Sequence, residues 1–191
     1  VKKPASARPV IHAADELMEL AVDAAHSRNL PAFLERFAQR ATRMLDARWG
    51  GVMVFRGRET DLYQATADAA DLQASHQATL IRIGREARRK AETLPVSFDS
   101  PLAVGGHTDD QVADVTFVPI TASDEESLGC LCLIRAGGTP SRDERHLLHA
   151  LASHAALSLE NFRRFSQLER SKRQWVEDID AISDYIVVHD R

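Results

Sequence analysis

The run FVPITASDEESLGCLCLIR, from Phe117 to Arg135, decides how the chain folds. Two apolar stretches, DVTFVPI (Asp114 to Ile120) and LGCLCLIR (Leu128 to Arg135), flank the polar linker TASDEES. Each stretch reads as a strand, and the short polar connection predicts an antiparallel hairpin. After it, GGTPS (Gly137 to Ser141) breaks the chain and Ser141 is placed to cap a long helix. Glu144 stands three residues on, the spacing of a capping box.

Upstream of the hairpin, Ser100 to Ala113 holds Pro101, Gly105-Gly106 and Asp109-Asp110 and reads as a long loop. LPVSF (Leu94 to Phe98) reads as a short strand, and Leu72 to Glu92 as a helix with Gly84 as its weak point. WGGVMVFRG (Trp49 to Gly57) predicts a buried strand ending in a turn, with LYQATA (Leu62 to Ala67) as its hairpin partner. Before these, Asn29 and Pro31 open a helix whose apolar face is Leu34, Phe37, Ala38, Ala41 and Leu45. An earlier helix is predicted over 12–28, where Leu17, Leu20, Ala21 and Ala24 recur at helical spacing, and residues 1–11 form a disordered lead. Hairpins in the middle and helices at both ends predict an α+β domain, an antiparallel sheet with the terminal helices on one face.

The bulk numbers narrow the classes. At 191 residues the chain holds one ordinary domain plus flanking helices. Its 44% hydrophobic and 27% charged content is that of a globular protein able to bury a core without metal or disulfide. A net charge of −4 argues against a dedicated nucleic-acid binder. The two cysteines, Cys130 and Cys132, fit no disulfide framework, so a reducing, cytoplasmic compartment is expected. No run approaches the ~20 apolar residues that span a bilayer, and no membrane contact is expected from this part of the protein.

Three segments together resemble the GAF domain, a small-molecule-binding regulatory module. LPAFLERFAQRATRMLDARWGGVMVF (Leu30 to Phe55) resembles its opening helix and first strand, and Phe117 to Arg135 its central hairpin. PSRDERHLLHALASHAALSLENFRRFSQL (Pro140 to Leu168) resembles its closing helix. The resemblance implies a GAF domain over 29–165, a helix/loop lid on the sheet face away from the terminal helices, and a long carboxy-terminal signalling helix. Residues 166–180 would be a coiled-coil linker helix. WVEDIDAISDYIVVHDR (Trp175 to Arg191) resembles the opening of a PAS domain over 181–191, with a first strand after Asp184. The chain stops inside that strand, which could not satisfy its ladder alone, so a piece of a longer multidomain protein is expected. GAF followed by PAS resembles bacterial signalling proteins, most often sensor histidine kinases, with cyclic-di-GMP enzymes as other parents.

The resemblance also implies where a ligand would sit. Arg82, Arg85 and Arg89 share one helical face, either solvated or forming an anion-attracting rim to the pocket. Phe98, Phe117 and, in the lid region, His107 are the other candidates for ligand contact. The cysteine–histidine pair that attaches a bilin in phytochrome-type relatives is absent, as is the Asn-Lys…Phe…Asp-Glu signature of cyclic-nucleotide binding. The ligand stays undefined and no cofactor is identified.

Four side-chain groups invite sharper readings. ASHAALSLENF (Ala152 to Phe162) resembles the phosphoacceptor box of histidine kinases, but Ala155 stands where the acidic partner of His154 belongs and no proline follows. A four–three series runs through Leu147, Leu151, His154, Ser158, Asn161, Phe165, Leu168, Lys172, Trp175 and Ile179, the seam of a coiled coil. The helix is therefore expected to face its own domain with Leu148, Leu151, Ala152, Ala155, Leu159 and Phe162, and a second copy with Leu147, Leu151, His154, Phe165, Leu168, Trp175 and Ile179, Leu151 belonging to both series. Cys130 and Cys132 share a strand face and read as buried small hydrophobes, with GAF-type redox chemistry as the alternative. His146 and His149 stand at i, i+3 without a zinc-protease motif and read as a solvated face.

The expected function is a non-catalytic sensory and dimerisation module that relays small-molecule binding through its terminal helices. A ligand-free dimerising spacer is the competing expectation.

Overall fold

The computed structural model describes residues 16, 18–20, 22–23, 29–65, 72–87, 91–98, 100, 103–104, 107–108, 112–135 and 139–188. The expected lead, Arg89 and the last three residues lie outside them.

Helix α1 (Leu30–Met44) starts where the sequence places it. The Asn29 side chain accepts the Ala32 amide at 3.2 Å, satisfying one of the donors that a helix start leaves free. Phe33, Leu34, Phe37, Ala38 and Ala41 make its buried face. Residues 16, 18–20, 22 and 23 are helical as expected. Leu20 of that segment is buried, and Glu19 and Asp23 pair with Arg40 at 3.1 and 3.2 Å.

The strands are β1 (Ala47–Arg56), β2 (Glu59–Gln64), β3 (Glu92–Ser97), β4 (Ala103–Val104), β5 (His107–Thr108), β6 (Val112–Thr121) and β7 (Ser127–Arg135). Five of them form one antiparallel sheet in the order β2-β1-β7-β6-β3. The opening hairpin is β6–β7, with Phe117 opposite Cys132 and Pro119 opposite Cys130. The β1–β2 turn is only Gly57-Arg58, because Arg56 pairs Glu59. β2 therefore begins three residues before the expected Leu62.

Helix α2 (Ala74–Glu86) is shorter than the expected span, since Glu92 already belongs to β3. The expected loop between Ser100 and Ala113 contains the two-residue ladder of β4 with β5. Helix α3 (Arg142–Val188) opens with the expected capping box: the Ser141 amide donates to Glu144 at 2.7 Å and the Glu144 amide to the Ser141 hydroxyl at 3.3 Å. α3 continues through Val188, where the sequence reading put the start of a strand after Asp184. A lone strand has no ladder partner, whereas a helix pairs its own backbone.

Strand alternation sorts the core onto two sheet faces. On one, Val52, Val54, Val118, Ile120, Leu131 and Leu133 meet α1 and the α3 residues Leu148, Leu151, Ala155 and Leu159. Each fully buried leucine there contributes about 2 kcal/mol. On the other, Trp49, Met53, Phe117, Cys130 and Cys132 lie beneath Leu80 of α2. The α+β class, the central antiparallel sheet and the terminal helices on one face are as the sequence predicts.

Candidate functional site

The face beneath α2 is the candidate site. α2 approaches the sheet closely because residue 84 has no side chain: a Cβ there would meet Met53 Sδ at 2.6 Å. Gly84, the weak point of the helix by propensity, is thus also its contact point with the sheet. At the floor, the Trp49 indole lies over Gly51, whose missing Cβ would stand 2.6 Å from Cη2 and 3.0 Å from Cζ2. Trp49 is fully buried, and its Nε1 has no hydrogen-bond partner.

A polar strap closes one end. His76, on the inner face of α2, is 2% exposed, and its Nε2 meets the Ser100 hydroxyl at 2.9 Å. Its ring packs edge-on against Phe98 at 5.2 Å, and the Ser100 hydroxyl also reaches Gln73 at 3.5 Å. These contacts join α2 to the segment that follows β3.

The sequence-derived site residues separate into two groups. Phe98 and Phe117 come together in the interior beneath α2. Arg82 and Arg85 stay outside it. Arg82 is exposed and pairs Glu86 at 3.9 Å. Arg85 donates from Nε to Thr60 Oγ1 at 2.6 Å and from Nη2 to the Arg58 carbonyl, fastening α2 to the β1–β2 turn. Arg85 is therefore held at the β1–β2 turn, whereas Arg82 stands at the surface. The His107 backbone lies in β5.

Cys130 and Cys132 are both free and fully buried. Burial, together with the adjacent Cys130 thiol, pushes the Cys132 thiol well up, so neither the environment nor the exposure favours a thiolate nucleophile. Among the described residues no group of three or more His, Cys, Asp or Glu is placed to hold a metal ion. Sequence reasoning missed Trp49, Met53 and His76. For His76 the signal was its four-residue spacing to Leu80, which puts both on the inner face of α2.

The opposite face leads outward. α3 buries Leu148, Leu151, Ala152, Ala155, Ala156 and Leu159, and Phe162 makes its last ring contact, with Phe33 at 6.0 Å. Beyond it Phe165, Leu168, Trp175 and Ile179 are 56%, 68%, 69% and 55% exposed. The expected seam needs correction in its first half. Leu151 is fully buried against its own sheet, and Leu147 is half-buried against the same core. A helix packed on a sheet spends that stripe on the domain, so among the described residues the large apolar side chains that α3 leaves outward are Leu157 and, beyond Phe162, Phe165, Leu168, Trp175, Val176 and Ile179. His154 is half-buried and its carbonyl accepts the Ser158 hydroxyl at 2.8 Å.

Ion pairs and hydrogen bonds fix α3 to the central hairpin at two points. Arg135, at the end of β7, pairs Glu144 in the first turn of α3. Ser123, in the β6–β7 turn, donates to Glu160 from its amide at 2.8 Å and its hydroxyl at 3.2 Å, and Arg163 pairs Glu126 at 3.0 Å.

A five-stranded antiparallel sheet with terminal helices on one face and a helix-covered interior on the other defines the α+β sensory-module class. Within that class, the chain belongs to the GAF domain family, whose model matches residues 29–159. Among curated proteins no sequence matches it. Similar solved structures include the GAF domain assigned to a sensor histidine kinase of Pseudomonas syringae pv. tomato, at 20% identity and a TM-score of 0.56, covering 84% of this chain and 94% of that one. Another is the GAF domain of a phosphoenolpyruvate-protein phosphotransferase from Coxiella burnetii, at 17% identity and 0.57, covering 82% and 98%. A third is the phycoerythrobilin-bound GAF domain of a cyanobacterial phytochrome, at 12% identity and 0.55, covering 81% and 97%. At these identities the likeness is one of fold. Among the described residues no helix is long and apolar enough to cross a membrane.

Proposed function

We propose that this GAF domain is a non-catalytic sensory and dimerisation module of a cytoplasmic signalling protein of the sensor histidine kinase type. A small molecule held beneath α2 favours one arrangement of paired terminal helices, and α3 carries that difference onward. The observation that supports this is the two-sided sheet. β7 presents Cys130 and Cys132 to the covered interior and Leu131 and Leu133 to α3, and is tied to α3 through Arg135 and Glu144. A shift of β7 on the ligand side is thereby felt at the helix. The ligand must bind the two arrangements with different affinity, since only that difference can be transmitted. The second copy meets this one along Phe165, Leu168, Trp175 and Ile179, large apolar side chains left exposed on one helix. The burial of both thiols supports a non-catalytic role over redox chemistry.

A thermal-shift screen of nucleotides, amino acids and aromatic acids tests the sensory reading. A reproducible stabilisation, lost when Phe98 and Phe117 are changed to alanine, supports it. The competing reading, a dimerising spacer without ligand, draws on the close seat of Met53 against Gly84. A dimer that no compound stabilises would favour the spacer.

A further inference from the structure

We infer that the interior beneath α2 selects an uncharged, mainly apolar molecule carrying one hydrogen-bond acceptor, and that Trp49 Nε1 is the donor that recognises it. This rests on the sensory reading above and adds the chemistry of the ligand.

The first ground is the unpaired donor. Trp49 has no exposed surface, yet its Nε1 has no acceptor. A buried N–H left unmade costs about 1–3 kcal/mol, and native interiors keep few of them. An acceptor brought by a ligand removes that cost.

Position is the second ground. The indole edge formed by Cζ2 and Cη2 lies over Gly51. Nε1 adjoins that edge through Cε2. Gly51 pairs with Cys132 on the central strand β7, so the donor stands at the floor of the interior rather than at its mouth.

The third ground is charge. Among the described residues no Lys, Arg, Asp or Glu is buried, the buried polar residues being His76, Thr116 and Ser158, and His76 already meets Ser100 through Nε2. Arg82 and Arg85 are engaged outside, with Glu86 and with Thr60 and the Arg58 carbonyl. A carboxylate or phosphate would enter without a counter-charge, which a dry interior penalises heavily. A neutral molecule would have to displace Met53, the unbranched and adaptable thioether seated against Gly84.

The test uses the full chain with Trp175→Phe, which leaves Trp49 as the only tryptophan. The single indole N–H signal is followed by nitrogen–proton NMR during titration with acetophenone, ethylbenzene and benzoate. Acetophenone is expected to move the indole proton downfield saturably and to bind about tenfold more tightly than ethylbenzene, which lacks the acceptor. Benzoate, its charged counterpart, is expected to bind at least about tenfold more weakly than acetophenone. Adding Trp49→Phe should erase the preference for acetophenone over ethylbenzene. Benzoate binding as tightly as acetophenone, or acetophenone shifting backbone signals of Phe117 and Cys132 while the indole signal stays still, overturns the inference and leaves the sensory reading standing. If none of the three moves any interior signal, the inference fails. A blank thermal-shift screen beside that result removes the sensory reading as well.

Discussion

Glu160 of α3 accepts both the amide and the hydroxyl of Ser123, at 2.8 and 3.2 Å, so the β6–β7 turn is fastened to the helix almost where the helix leaves the domain. Phe162, two residues on, is the last α3 side chain in ring contact with α1. The same hairpin carries the buried Cys130 and Cys132 on the face beneath α2.

Replacing Glu160 by alanine removes the acceptor of two hydrogen bonds and the partner of Arg164 at 3.5 Å. A loss of about 1–2 kcal/mol in urea unfolding is expected, the scale of hydrogen bonds to a charged group at a partly exposed site. An unchanged midpoint would show that the turn is held to α3 by packing alone.

Gly84→Val places a branched side chain where a single Cβ already stands 2.6 Å from Met53 Sδ. Overpacking of this kind costs about 1–3 kcal/mol. Gly84→Ala should be milder, because the helix gains about 1 kcal/mol of propensity and Met53 is flexible. Melting temperatures should therefore fall in the order Gly, Ala, Val, and a valine variant as stable as the parent would show that α2 stands off the sheet.

Phe165→Glu with Trp175→Glu should convert a dimer to a monomer in light scattering while leaving thermal unfolding of the domain nearly unchanged. Both side chains are more than half exposed, so neither supports the sheet. A dimer that survives both changes pairs through another surface.

The Glu144 carboxyl is subject to opposing effects. Burial raises its pKa, but the Ser141 amide, the Ser141 hydroxyl and Arg135 together outweigh burial and hold it below its ordinary value. A carboxylate lowered by folding adds stability that is fully present above its unfolded pKa and disappears as pH falls through the lowered folded value. Urea midpoints followed from about pH 7 down to about pH 3 should show this acid-side loss, and Glu144→Gln should flatten its share. Removing the charge also leaves the nine-tenths-buried Arg135 side chain without its counter-ion, so the variant is expected to be about 3 kcal/mol less stable at neutral pH. Parallel acid limbs in the two proteins would mean that other carboxylates set the slope.

Elements with strong local patterns were readable from the chain. The Asn29 cap, the Ser141–Glu144 capping box and the β6–β7 hairpin all rest on residues a few positions apart, and the structure forms each of them. The candidate site was legible only in part. Phe98 and Phe117 were named from the sequence and share the buried cluster beneath α2, while Arg85 is turned to the β1–β2 turn. Whether a guanidinium faces a pocket or a neighbouring turn depends on Thr60 and Arg58, which lie more than twenty residues from Arg85.

By itself, then, the sequence determined the class, the order of elements and the central hairpin, because short-range periodicity and capping act within one element. The sheet-facing stripe of α3 was legible too, but tertiary structure decided that Leu151, which stands in both the stripe and the seam, goes to the sheet, leaving Phe165, Leu168, Trp175 and Ile179 outside. It also decided that Trp49 would lie over Gly51 with its N–H unpaired beneath α2. These outcomes follow from competition between distant surfaces for the same apolar area, and no local pattern encodes which surface wins.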